Sequence, residues 1–119
     1  LGSMEVESAA QLVAAQAGCT VAVSGQPDVI TDGARVVRVH NGVPLLTRVT
    51  GTGCLLGALT AACSTVADPF DAALTATVWL TVAAEHAAAT EHGPGSFRVA
   101  LVDALHTLDA TTIARQAKW

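Results

Sequence analysis

The spacing of apolar positions changes several times along the chain, and each change marks an element. From Met4 to Ala17, Val6, Ala9, Ala10, Val13, Ala14 and Ala17 recur at helical spacing, and Gly18 supplies a stop. The compact run Cys19–Val23 ends in Ser24-Gly25 and predicts a buried parallel strand whose carboxyl end meets a loop, a place ligands favour. Asp28–Thr31, Arg35–His40 and Pro44–Thr47 predict three short strands of an antiparallel meander, with Asp32-Gly33 and Asn41-Gly42 as tight turns. From Gly53 the period becomes helical, because Leu55, Leu59, Ala62 and Val66 share one face that ends near Asp68-Pro69. Phe70–Thr90 is apolar or small nearly all round through Ala84, which predicts a helix buried on more than one side. His92-Gly93-Pro94-Gly95 then breaks the chain, and Ser96 is placed to cap a last helix over Phe97–Leu108.

Helix, strand, meander and three helices make an α/β pattern with one or two convincing core strands, fewer than a doubly wound sheet needs. Further strands are therefore expected upstream of these residues. The first residue is Leu, and Leu1 to Met4 read either as a foreign leader before a native start at Glu5 or as native sequence after a cut. Residues 1–119 are accordingly expected to be the carboxyl-terminal portion of one larger domain.

Composition narrows the function. Half of the residues are hydrophobic (51%) but only 3% are aromatic, so the core is built from Ala, Val and Leu. Six basic residues against ten acidic ones give a net charge of −4 without a basic cluster, which argues against a nucleic-acid partner. The apolar stretch Ala72–Ala84 is shorter than the about 20 residues a bilayer crossing needs, so no membrane partner is expected. With no visible signal peptide, a cytoplasmic protein is the default. Cys19, Cys54 and Cys63 are odd in number and form no CxxC pair, which argues against a disulfide framework or a zinc site.

The segment with the most chemistry is Val49-Thr50-Gly51-Thr52-Gly53-Cys54-Leu55-Leu56, a glycine-rich turn opening into a helix. The first turn of a helix leaves amides without internal partners and carries the positive end of the macrodipole, so it attracts anions. Gly51 and Gly53 let a bulky ligand approach the main chain, and a thiol in that first turn has its ionised form favoured. The alternative reading is structural: Thr50 or Thr52 as N-cap, followed by a small buried cysteine.

Its companions decide between these readings. Val21-Ala22-Val23-Ser24-Gly25, Asp28-Val29-Ile30-Thr31-Asp32-Gly33, His40-Asn41-Gly42, Leu45-Leu46-Thr47, the turn itself and Gly93-Pro94-Gly95-Ser96-Phe97 form an ordered set. Together they resemble the carboxyl-terminal half of a hydroxyethylthiazole kinase. The resemblance implies a ribokinase-like α/β fold and transfer of the γ-phosphoryl group of ATP, with Mg2+, to 4-methyl-5-(2-hydroxyethyl)thiazole in thiamine salvage. By position, Gly51 matches a substrate-binding glycine, Thr52 and Gly53 the anion-hole turn, Cys54 the proton acceptor, and Ser24 an ATP-binding position that is often Thr. No metal ligand is assigned. The resemblance also implies a homotrimer, and a thiazole pocket supplied largely by an amino-terminal half absent from these residues, so that the segment alone is expected to be inactive or poorly folded. Two alternatives stand beside it: another ribokinase-like vitamin-precursor kinase, such as a hydroxymethylpyrimidine kinase, and an inactive nucleotide-binding or assembly module.

The remaining candidates read as structure. His86 and His92 with Glu85 and Glu91 fit no zinc spacing. His40 and His106 are isolated, Trp79 belongs to core or subunit interface, and Cys19 and Cys63 are expected in the core. Asp32 is turn chemistry before Gly33, and Gly93–Ser96 is a loop and cap.

Overall fold

A computed structural model describes residues 2–119. The first helix, α1 (Ser3–Ala17), stops at Gly18, whose φ of 63° is the left-handed conformation that glycine adopts without a Cβ penalty. Three strands follow: β1 (Val21–Val23), β2 (Asp28–Thr31) and β3 (Val36–Val39). They form one antiparallel sheet in the order β1-β2-β3, with Val21 opposite Thr31 and Asp28 opposite Val39.

Two expectations for this region are corrected. The first strand pairs antiparallel with β2 and is not fully buried, Ala22 being exposed. The four residues between Val23 and Asp28 are too few for the crossover that parallel neighbours need. The stretch from Pro44, predicted as a third meander strand, is a 3-10 helix (Pro44–Arg48). Pro44 lacks the amide a strand would donate, and the Thr47 hydroxyl turns back to the Pro44 carbonyl at 2.8 Å. Asn41-Gly42 consequently joins β3 to a helical turn and makes no hairpin.

Four helices complete the chain: α2 (Thr52–Cys63), α3 (Pro69–Thr90), α4 (Pro94–Thr107) and α5 (Ala110–Gln116). Asp68 caps α3 by accepting from the Asp71 amide at 2.9 Å, and Pro69 fills the first position, whose amide would have no helical partner. Alternation in β2 and β3 sends Ile30, Val37 and Val39 against Phe70, Ala73, Val78 and Val82 of α3. The opposite face carries Val29 and, across from it, Arg38, whose guanidinium pairs with Glu7 of α1. The sheet is thus a layer between α1 and α3.

Farther along α3, Leu80, Ala83, Ala84 and Ala87 meet Phe97 and Leu101 of α4, with Leu55, Leu56 and Leu59 of α2 packed against the same cluster. Burial on several sides was the expectation for this helix. Its alanines let the two neighbours come close.

The remaining differences are local. Helix α2 ends at Cys63, and Val66 lies beyond it, 88% exposed. Helix α4 begins at Pro94 with Gly93 as N-cap, and Ser96 sits inside its first turn, its hydroxyl on the Gly93 carbonyl at 3.3 Å. Cys19 is exposed and Cys63 half-buried, so neither is a core residue. Helix α5 was not foreseen. Among the described residues no helix is long and apolar enough to cross a membrane.

Candidate active site

Because β1 and β3 both run antiparallel to β2, they run parallel to each other and their carboxyl ends emerge on one side. Ser24-Gly25 leaves one of those ends and Asn41-Gly42 the other, and both line a cavity of about 560 Å3. The start of α2 supplies Thr52, Gly53 and Leu56 to its lining, and α3 supplies Thr77, Leu80 and Thr81. A cavity outside the carboxyl ends of strands is where open α/β sheets take ligands.

The start of α2 is built around Gly51, the N-cap, with φ 91° and ψ 2°. A side chain there would be strained, although its Cβ would meet nothing within 4 Å. Neither Thr50 nor Thr52 caps the helix. The Thr52 hydroxyl donates instead to the Leu46 carbonyl at 3.2 Å, tying the helix start to the preceding 3-10 turn. No side chain caps α2, so its first-turn amides stay open to a ligand. A Cβ on Gly53 would point into open space, which leaves room beside the cavity for close approach to the main chain.

Ser24, Thr52 and Gly53, which arise from distant parts of the chain, are therefore brought to one cavity. Gly51 and Cys54 flank it on the same helix start without lining it, and Cys54 is exposed.

Asp28 was read as the start of a strand, yet it also lines the cavity, and its carboxylate accepts from the Gly25 amide at 2.8 Å. Burial pushes this carboxyl above the ordinary value of 3.8, and the Gly25 hydrogen bond opposes the shift. Its sequence signal is an acidic residue three positions after Gly25, the spacing at which a carboxylate closes a loop. Thr77 and Thr81 had no such signal, because small polar residues in an apolar helix read as packing.

The other titratable candidates lie elsewhere. Asp32 holds its turn, accepting from the Ala34 and Arg35 amides at 3.0 and 2.7 Å and pairing with the Arg35 guanidinium. Glu85 binds Asn41 and Lys118, and His86 meets Gln116, so these two residues are committed to packing the chain end. Among the described residues no three His, Cys, Asp or Glu side chains form a metal-holding group.

Sheet, flanking helices and a cavity beside an uncapped helix start define an α/β protein with its cavity at the carboxyl ends of β1 and β3. The family model described as the hydroxyethylthiazole kinase family matches residues 2–111, and the chain belongs to that family. The hydroxyethylthiazole kinase of Clavibacter sepedonicus is 51% identical over 118 residues, an alignment covering 96% of this chain and 43% of that protein. That of Methanocorpusculum labreanum is 42% identical over 109 residues, covering 92% and 41%. The solved structure of a hydroxyethylthiazole kinase protein from Pyrococcus horikoshii OT3 superposes with a TM-score of 0.94 at 41% identity, covering 98% of this chain and 46% of that one. The chain thus spans less than half the length of these relatives.

Proposed function

We propose that these residues are the carboxyl-terminal portion of a ribokinase-like enzyme that transfers the γ-phosphoryl group of ATP to the hydroxyl of 4-methyl-5-(2-hydroxyethyl)thiazole. The product feeds thiamine salvage, and an ATP-consuming step of this kind belongs in the cytoplasm. The observation that carries the reading is the meeting of Ser24 with Thr52 and Gly53 on one cavity, in a chain of this family. The shared length supports the partial nature of the site, and the rest of the thiazole pocket and a homotrimeric assembly belong to the complete protein.

Phosphoryl transfer asks the protein mainly to position reactants and stabilise charge on the moving group. In this reading the Ser24 hydroxyl contacts the nucleotide phosphates. The open first-turn amides at Thr52 and Gly53 receive the charge that develops on the phosphoryl oxygens. Gly51 lets the alcohol approach the turn, and Cys54 takes the hydroxyl proton as the oxygen attacks. Mg2+ enters with ATP as part of the substrate. Asp28 is the one carboxylate lining the described cavity, in keeping with an ion that takes one or two carboxylates and otherwise phosphates and water.

The test is a panel of thiazole and pyrimidine alcohols with ATP and Mg2+, run on the complete protein. Turnover of the thiazole alcohol is expected. Preference for the pyrimidine alcohol would reassign the substrate, and nucleotide binding without turnover would make the chain a binding module. Cys54→Ala should lower kcat by about 10²-fold, the lower end for loss of a proton acceptor, with an unchanged melting temperature. Unchanged turnover would remove Cys54 from the chemistry.

A further inference from the structure

The cavity wall at Asn41-Gly42 is held from behind by residues 116–118. Asn41 is 3% exposed, and its amide group is fully engaged. Its nitrogen donates to the Gln116 carbonyl at 2.9 Å and to the Glu85 carboxylate at 3.2 and 3.3 Å, while its oxygen accepts from the Lys118 amide at 2.6 Å. The opposite orientation of the amide would set donor against donor at Lys118 and oxygen against oxygen at Glu85, so the network itself fixes the side chain.

Glu85 closes the circuit. Its carboxylate also accepts from the Gly42 amide at 3.0 Å and from the Lys118 ammonium at 3.1 Å. The His40 amide donates to the Lys118 carbonyl at 2.7 Å. Three successive residues at the end of β3 are thereby tied to α3 and to residues 116–118. The cavity lining includes Asn41 and Gly42 but none of the last three residues of the chain.

We propose that Asn41 is a positioning residue for the nucleotide side of the cavity, clasping the strap 116–118 and Glu85 behind the Asn41-Gly42 corner so that the strap sets that wall. The side is identified by register. Asp28 lies opposite Val39, which places the Ser24–Asp28 loop beside His40–Gly42. The proposal rests on the reading above in one respect, that Ser24 meets the phosphates of ATP. Gly42 has φ 127°, a conformation that L side chains rarely adopt, so the turn at this corner depends on glycine.

The test compares Asn41→Ala, deletion of Lys118 and Trp119, and Lys118→Ala in the complete protein. Asn41→Ala and the deletion should raise the KM for ATP about tenfold, leave kcat within about threefold and leave the KM for the alcohol unchanged. Lys118→Ala keeps the main-chain bonds and loses an exposed ion pair, so it should resemble wild type. A purely structural asparagine would lower the melting temperature and the active fraction without a selective change in KM, and that result would overturn the proposal.

Hydrogen exchange provides a readout independent of turnover. Amides of His40 and Gly42 should exchange at least about tenfold faster in Asn41→Ala, and MgATP should slow them in wild type. Unchanged exchange in the variant, or no response to MgATP in wild type, would also overturn the proposal. A wild type that responds to MgATP but phosphorylates no alcohol, with the response lost in Asn41→Ala, would sustain this role for Asn41 while rejecting the kinase reading.

Discussion

Single residues set the shape of the candidate site more than any long element does. Gly51 was legible because a glycine before an apolar helix suits a turn with positive φ, and it has that conformation. The use of Thr52 was not legible: an N-cap and a tie to the preceding turn call for the same hydroxyl, and only the fold shows that Leu46 takes it. Asp32 was legible as turn chemistry, and its charge makes a prediction. Hydrogen bonds from the Arg35 amide and guanidinium, with a further one from Ala34, lower its pKa from 3.8 to about 2. The folded state therefore favours the carboxylate, and the stability it contributes is fully present above the unfolded value and is lost as the pH falls through about 2. Asp32→Asn should melt below wild type at neutral pH, with the two melting temperatures converging as the pH approaches 2. A constant gap across that range would show that the charge is not what holds the turn.

At the level of elements, the long helices were readable and the short pieces were not. Helix α3 has 22 residues of sustained apolar character, and a pattern that long overrides local ambiguity. Pro44–Arg48 has an alternation too brief to tell a strand from a 3-10 turn, and the proline settled it. Helix α5 was missed because its seven residues offer little apolar repeat, although Asp109 caps it by accepting from the Thr112 amide at 2.7 Å. Phe97 is the largest fully buried side chain, and it belongs to the cluster with Leu80, Ala83 and Ala84 against which α2 also packs. The surrounding alanines cannot extend to fill a gap, so Phe97→Ala should cost about 3–5 kcal/mol, measured by denaturant unfolding. A loss below about 1 kcal/mol would mean that α4 closes over the cavity left behind.

At the scale of the whole molecule, the surface is larger than the mass requires. The accessible area is 6734 Å2, whereas a compact monomer of 12.0 kDa exposes about 6,000 Å2. Part of the excess is apolar: Leu12 and Val13 on α1 are 58% and 51% exposed. Beside them β1 is an edge strand, bonded to β2 on one side only, with polar main-chain groups that an added strand can use. None of this was legible in residues 19–23, whose composition reads as a fully buried strand; the expected neighbour is simply not among the described residues. If the proposed kinase includes further sheet, we expect it to join at β1, because the half-buried Val21 and Val23 suit an interior strand better than an edge. In these 119 residues alone, the β1 amides not bonded to β2 should exchange rapidly, while those of β2, paired on both sides, stay protected. In the complete protein the same β1 amides should become as protected as those of β2. Slow exchange at β1 in the isolated residues would show that self-association already covers the edge, whereas fast exchange in both forms would place the remaining sheet elsewhere.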